Sequence, residues 1–450
     1  MKLSENIFFA IRSRRLQSLL ISVYNLRLFL VRYGPYYWIC KYRYQRWDMF
    51  SKCDLETLQR QRMAKFFSSA SLSYTKFFGV KKYTVDQDVY EYLSYLPVLT
   101  KRDLIENKSP RRLLDLFSIK SSTGGTTGAS LVVKYKFKDV QDRQAYLDFW
   151  RGKYGWKIRS RTAWFSGKNI VSKDDLEAEE FWKTDRLFNI RYYSTFHISH
   201  QSFHKYLDNL DAWNMEFIVG FPSTIVELAK FGLDHGRKYK GTRLKAIFPT
   251  AESITSEIRS ILLDYFGVDC RDQYASSEGA PFITECPAGR LHIQIHTGVF
   301  RIQNNGELLV TSFSTGRTPL INYDIGDVIE LDSSTIGPCD CGSHMPIAEK
   351  IIGRKSETLP TPMGNLNLGN ISNTTKGVQG IIQFQVHFKD LYNLKIFMVV
   401  SSNFDKDSER KFIENWRNRI GQEVNLELTR VGSIERSSSG KFQMIVHETT

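Results

Sequence analysis

Cysteine is scarce, with six residues in 450. With no secretory leader and cleavage site at the start, that scarcity argues against a disulfide framework and for a cytoplasmic protein. Long apolar runs are also missing. The best candidate, 16–31, is interrupted by Gln17, Asn25 and Arg27, so it is too short and too polar to span a bilayer. No Gly-Lys-Ser/Thr closes a Walker A loop. No internal repeat or long low-complexity linker is present. The lack of zinc-finger and RNA-recognition signatures leaves no case for nucleic acid. Acidic residues are the minority charge, 48 against 62 basic, for a net charge of +14 and a pI near 9.3. The excess favours anionic partners, whether small molecules, a membrane surface or an envelope polymer.

What is present starts with an unbroken Ser/Thr/Gly run: Ser121, Ser122, Thr123, Gly124, Gly125, Thr126, Thr127 and Gly128. Glycines permit φ > 0 and close approach of a ligand. With hydroxyls beside backbone N–H groups, such a run makes an anion nest, or else a plain polar surface loop. It lies between the β-rich runs Phe117–Ile119 and Leu131–Tyr135, so it reads as a loop between strands. Three patches follow in order: Tyr274-Ala275-Ser276-Ser277-Glu278-Gly279; Tyr323-Asp324-Ile325-Gly326-Asp327 with Gly353-Arg354 behind it; and Ser439-Gly440-Lys441. Each alone is weak, but the ordered set is specific.

With these four motifs the chain resembles the adenylate-forming superfamily of acyl-CoA synthetases and related ligases. Within it, the chain looks most like the phenylacetate–CoA ligase-like branch, including members associated with capsular polysaccharide biosynthesis. The resemblance runs from Glu56 to Val446. It implies an α/β fold: a large N-terminal adenylate-forming domain of layered sheets and helices, with a small mobile C-terminal α+β domain. It also implies an ATP-dependent, AMP-forming acid ligase. A small-molecule carboxylate attacks the α-phosphate of ATP, pyrophosphate leaves, and a second nucleophile displaces AMP.

The roles carried over are these. The Ser121–Gly128 loop holds the β- and γ-phosphates. Glu278 binds Mg²⁺, a hard cation suited to carboxylate oxygen. Ser277 meets the α-phosphate, Tyr274 lies against adenine, and Ala251, Glu252 and Ser253 line the base pocket. Asp327 accepts from the ribose hydroxyls, and Arg354 contacts ribose or phosphate. Lys441 stabilises charge developing on the α-phosphate. The chain also departs from the pattern. Ser356 stands where the hinge residue is usually Asp or Lys, and Asn322 or Asp324 where many relatives carry arginine. Pro360–Asn365 replaces a glycine-rich stretch. Adenylation is thus better supported than transfer to coenzyme A. The acceptor stays open among coenzyme A, a carrier thiol, and a sugar amine or hydroxyl. The expected setting is surface polysaccharide synthesis. The alternatives are an aryl- or acyl-CoA ligase of catabolism, and a non-catalytic nucleotide-binding descendant.

Cys286 and His292 form a Cys-x5-His pair, and Cys339 and Cys341 a Cys-x-Cys knuckle. Three thiolates and one imidazole would close a tetrahedral structural zinc site. Some phenylacetate–CoA ligase-like members carry such a site in this region. His296 is a competing ligand, and ordinary buried cysteines are the plain alternative.

The expected organisation is a basic amphipathic helical segment over 1–55, a large domain over 56–353 and a small domain over 354–450. Residues 1–50 mix arginines with aromatic and aliphatic side chains, which suits peripheral contact with the inner face of a membrane or packing on the main domain. Phe217–Phe221, Leu244–Phe248 and Val268–Arg271 read as strands separated by the helices Ser223–His235 and Ser256–Phe266, an alternation that argues for parallel α/β layers. Asn304-Asn305-Gly306 reads as a hairpin turn.

Overall fold

The computed structural model describes residues 11, 13–78, 83–106, 118–122, 131–167, 169–303, 306–332, 337–354, 358–437 and 439–448. The expected motif positions 123–128 and Ser356 lie outside them, as does the 304–305 turn.

The chain forms two compact units. The first comprises 1–23, 158–270 and 354–450; the second comprises 24–157 and 271–353. The expected 56–353 domain is therefore divided between them, because the chain leaves each unit and returns. The expected 1–55 segment is divided as well, and its helices are Arg14–Arg32, Pro35–Trp47 and the start of Lys52–Phe78.

In the first unit a five-stranded sheet runs Trp182–Asp185, Ile190–Ser194, Thr162–Ser166, Phe217–Gly220, Ala246–Pro249. The last four strands are parallel and Trp182–Asp185 is antiparallel. Phe217–Gly220 and Ala246–Pro249 are buried at every position, which explains their continuous apolar runs: a strand covered on both faces has no polar side to alternate. The helices Phe203–Trp213, Pro222–Asp234 and Ser256–Phe266 supply Leu207, Phe231 and Leu262 to the core around Phe165, Ile218 and Ile247. The expected strand Val268–Arg271 is instead a single bridge from Ile247 to Cys270, and the next strand starts at Gln273.

The C-terminal part of this unit is a four-stranded sheet ordered Asn425–Arg430, Asn393–Val400, Ile381–Asp390, Ile445–His447. Helix Lys406–Ile420 covers it with Phe412, Trp416 and Ile420 at helical spacing against Phe384 and Ile396. Asp405 caps that helix, accepting from the Ser408 N–H at 2.8 Å.

In the second unit a seven-stranded sheet runs Gly298–Ile302, Glu307–Ser312, Tyr323–Leu331, Ile347–Arg354, Leu291–Ile293, Ile283–Glu285, Gln273–Tyr274. The sheet curls so that its edges approach: Tyr274, on one edge strand, has its ring 6.4 Å from that of Phe300 on the other. Helix Phe137–Gly152 packs beside Pro35–Trp47. Asp142 on the former is buried, taking hydrogen bonds from Tyr44 (2.7 Å), Ser314 (2.7 Å) and Arg62 (2.7 Å).

Candidate functional site

Ser121 and Ser122 end the strand Ile119–Ser122, which pairs antiparallel with Val132–Tyr135. These two strands are the arms of a hairpin. One arm reaches the Glu278 turn, where the Tyr135 hydroxyl donates to the Ser277 carbonyl at 3.2 Å. Arg143, on helix Phe137–Gly152, fixes the far side of the turn by donating to the carbonyls of Gly279 (2.9 Å) and Ala280 (2.7 Å). Gly279 has φ +97°, and a Cβ there would lie 2.5 Å from the Tyr135 hydroxyl, so only glycine fits. Glu278 is buried at the head of this turn.

Tyr274, four residues earlier, donates its hydroxyl to Asp327 Oδ2 at 2.6 Å. Asn322, at one end of the same stretch, has φ +50° and is an anchor. It accepts from Arg301 (2.9 Å) and donates to the carbonyls of Leu96 (2.9 Å) and Pro97 (3.2 Å). That structural duty accounts for an amide at this position. Arg354 ends the strand Ile347–Arg354 and is exposed.

Lys441, Glu252 and Ser253 belong to the first unit. Ala251 takes φ +65°, turning the chain so that the Glu252 carboxylate accepts from the Ser223 N–H (2.9 Å) and Oγ (3.1 Å). Ser223 is in the first turn of helix Pro222–Asp234, whose N–H groups have no partner within the helix. Burial raises the Glu252 pKa, opposed by the Ser223 N–H and the charges of Lys441 and Arg436. Lys441 ends a tight turn: its carbonyl accepts from Ser437 N (3.1 Å) and Oγ (2.9 Å), and Gly440 N donates to Ser437 O (2.7 Å). Gly440 has φ +72° and sits against Gly167, where an added Cβ would lie 2.2 Å from Gly167 Cα. Arg436 secures the start of the turn through an ion pair with Glu227 on helix Pro222–Asp234, both side chains at most 6 % exposed.

The cysteines and histidine converge in the second unit. The ligand atoms of Cys286, His292, Cys339 and Cys341 all lie within 4.8 Å of one another. Cys286 and Cys339 Sγ are 3.9 Å apart, and Cys341 Sγ is 3.4 Å from His292 Nε2. Tetrahedral zinc requires roughly 3.8 Å between sulfurs and about 3.6 Å between sulfur and nitrogen, given its bond lengths. The donor set fits. Two tight turns build it, with Gly289 N donating to Cys286 O (2.9 Å) and Gly342 N to Cys339 O (2.7 Å). His292 Nδ1 is 3.1 Å from the Met345 carbonyl, a contact that puts the proton on Nδ1 and leaves Nε2 to ligate. His296 is elsewhere, edge-on to the rings of Tyr44, Trp47 and Tyr146.

Residues 360–448 match the CapK C-terminal domain family. Protein CapK of Staphylococcus aureus is 29 % identical over 448 residues, 96 % of each chain. Among solved structures, 2-hydroxyisobutyryl-CoA ligase in the postadenylation state with R3-HIB-AMP matches with a TM-score of 0.70 at 14 % identity, over 90 % of this chain and 92 % of that one. The same enzyme with 2-HIB-AMP and CoA in the thioesterification state matches with a TM-score of 0.55 at 14 % identity over the same shares. The chain has the adenylate-forming ligase fold.

Four supporting residues had no sequence signal. Arg143, Ser223, Glu227 and Arg436 each lie in a helix or loop whose local pattern is ordinary, and their partners are distant in the chain. Among the described residues no helix is long and apolar enough to cross a membrane.

Proposed function

We propose that the protein is an ATP-dependent, AMP-forming ligase that activates a small carboxylic acid as its acyl- or aminoacyl-adenylate and passes the acyl group to a thiol or amine acceptor. The observation carrying this reading is the match of the fold, over 90 % of the chain, to a ligase solved with an acyl-adenylate. A carboxylate oxygen attacks the α-phosphorus and the bond to the β-phosphate breaks, releasing pyrophosphate. Lys441 offsets the negative charge gathering on the α-phosphate and holds two mutually repelling anions together. Its short, glycine-dependent turn, anchored by Arg436, limits how far that ammonium strays.

Ser121–Gly128 grips the departing phosphates, and Ser277 contacts the α-phosphate. Glu278 holds Mg²⁺, which neutralises phosphate charge. Tyr274 and the Ala251–Ser253 segment line the base site, with Glu252 already committed to its helix cap. Asp327 takes the ribose hydroxyls, helped by Arg354. Cys286, His292, Cys339 and Cys341 hold a structural zinc ion; all four positions are filled by protein, so it has no open site for chemistry. The phenylacetate–CoA ligase-like branch and a role in surface polysaccharide synthesis remain the preferred family and setting, by the resemblance.

The test is carboxylate-dependent ATP–pyrophosphate exchange across a panel of acids, with Lys441→Ala as control. Exchange with one acid, lost in the variant, supports adenylation and names the substrate class. ATP binding without exchange for any acid favours the non-catalytic reading. With the acid known, consumption of free coenzyme A thiol distinguishes coenzyme A from another acceptor.

A further inference from the structure

Helix Arg14–Arg32 is apolar on the side it exposes as well as on the side it partly buries. The latter side mixes partly buried Leu20, Ile21, Leu28 and Val31 with one fully buried polar residue, Gln17, which is 1 % exposed and accepts from the Lys183 ammonium; Ser22 Oγ donates to Asp185 Oδ1 at 2.7 Å. Its outward positions are apolar. Leu16, Leu19, Val23, Leu26 and Leu30 are 44, 56, 56, 41 and 69 % exposed. At roughly 100° per residue these five fall in an arc of about 80°. Arg15 borders the arc on one side and Arg27 on the other, and the helix has no Asp or Glu.

The alternating three- and four-residue spacing would also suit a coiled-coil seam with a second copy. Charge argues against that occupant. Pairing this helix with itself sets bordering arginines near one another, and it offers no carboxylate to relieve them. An anionic bilayer satisfies both features at once, taking the leucines below the headgroups and the arginines among the phosphates. The helix cannot span a membrane, which leaves the interfacial orientation.

We propose that Arg14–Arg32 docks the protein on anionic phospholipid surfaces through Leu16, Leu19, Val23, Leu26 and Leu30, with Arg15 and Arg27 at headgroup level. This inference stands apart from the adenylation chemistry.

The test is co-sedimentation of the full chain with phosphatidylcholine vesicles, with and without phosphatidylglycerol. Binding is expected to need phosphatidylglycerol, to weaken with salt, and to fall about tenfold or more in Leu19→Glu/Leu26→Glu. Arg15→Gln/Arg27→Gln is expected to lose the preference for anionic lipid. Unchanged thermal midpoints show that both variants fold. Wild-type protein that ignores phosphatidylglycerol vesicles, a leucine variant that binds them equally well, or a lipid-independent dimer dispersed by that variant would each overturn the proposal.

Discussion

Tyr274 donates its hydroxyl to Asp327 Oδ2 over 2.6 Å, tying an edge strand of the seven-stranded sheet to the strand Tyr323–Leu331. In the proposed reading this bond orients the carboxylate that would meet the ribose hydroxyls.

Removing the donor should therefore weaken nucleotide binding without abolishing it. Tyr274→Phe loses one hydrogen bond to a charged group, about 1.5–3 kcal/mol, so ATP affinity should fall roughly tenfold to a hundredfold. Asp327→Ala should cost at least as much. Calorimetric titration with ATP measures both, and equal affinity in Asp327→Ala would remove the ribose assignment.

Lys441→Ala should lower exchange by about a hundredfold to a thousandfold while ATP binding changes little, because the ammonium acts on charge that develops during attack. Arg436→Ala should behave differently. It leaves the buried Glu227 unpaired, at a cost of about 3–5 kcal/mol, and should lower stability as well as rate. Comparing urea unfolding with exchange rates separates the two.

Purified protein should contain one zinc ion per chain by elemental analysis. Cys286→Ser and Cys339→Ser should each lose it, and a strong chelator should lower the thermal midpoint of wild type but not of those variants. Full metal content in Cys339→Ser would disprove the four-ligand site.

Acid should destabilise the second unit in two stages. Burial, reinforced by the nearby Arg62 charge, pushes the His296 imidazole down from 6.5 to about 3. Burial works against ionised Asp142, but the Arg62 charge and the Tyr44 and Ser314 hydroxyls prevail and bring it from 3.8 to about 2. Both folded values lie below the unfolded ones. The unfolded chain therefore takes up protons first as pH falls, and stability declines. The His296 share is lost from pH 6.5 downwards, about 3 kcal/mol by pH 4 at roughly 1.4 kcal/mol per unit. The Asp142 share, about 2 kcal/mol, is lost between pH 4 and 2. His296→Gln should flatten urea-unfolding stability between pH 7 and 4, and an unchanged slope would assign the loss to other groups.

Much of the architecture was legible because it is written in local patterns. The buried parallel strands Phe217–Gly220 and Ala246–Pro249 are continuous apolar runs. Cys286, His292, Cys339 and Cys341 were grouped with the help of the family resemblance, since their spacing alone left ordinary buried cysteines open, and the structure brings their ligand atoms within 4.8 Å of one another.

Other features depended on pairings across long stretches of chain. The sequence by itself determined which residues could make strands, caps and metal ligands, since those follow from backbone sterics and side-chain donors. Only the tertiary structure decided which side of Arg14–Arg32 faces inward. The helix is apolar on two sides, so periodicity cannot choose between them; the bonds of Gln17 to Lys183 and of Ser22 to Asp185 go with partly buried Leu20 and Leu28 and exposed Leu16, Leu19, Leu26 and Leu30. It likewise decided that Glu252 caps helix Pro222–Asp234 and that Arg436 meets Glu227, 209 positions away. A buried charge must find its counter-charge or donor in space, and sequence distance carries no information about where that partner is.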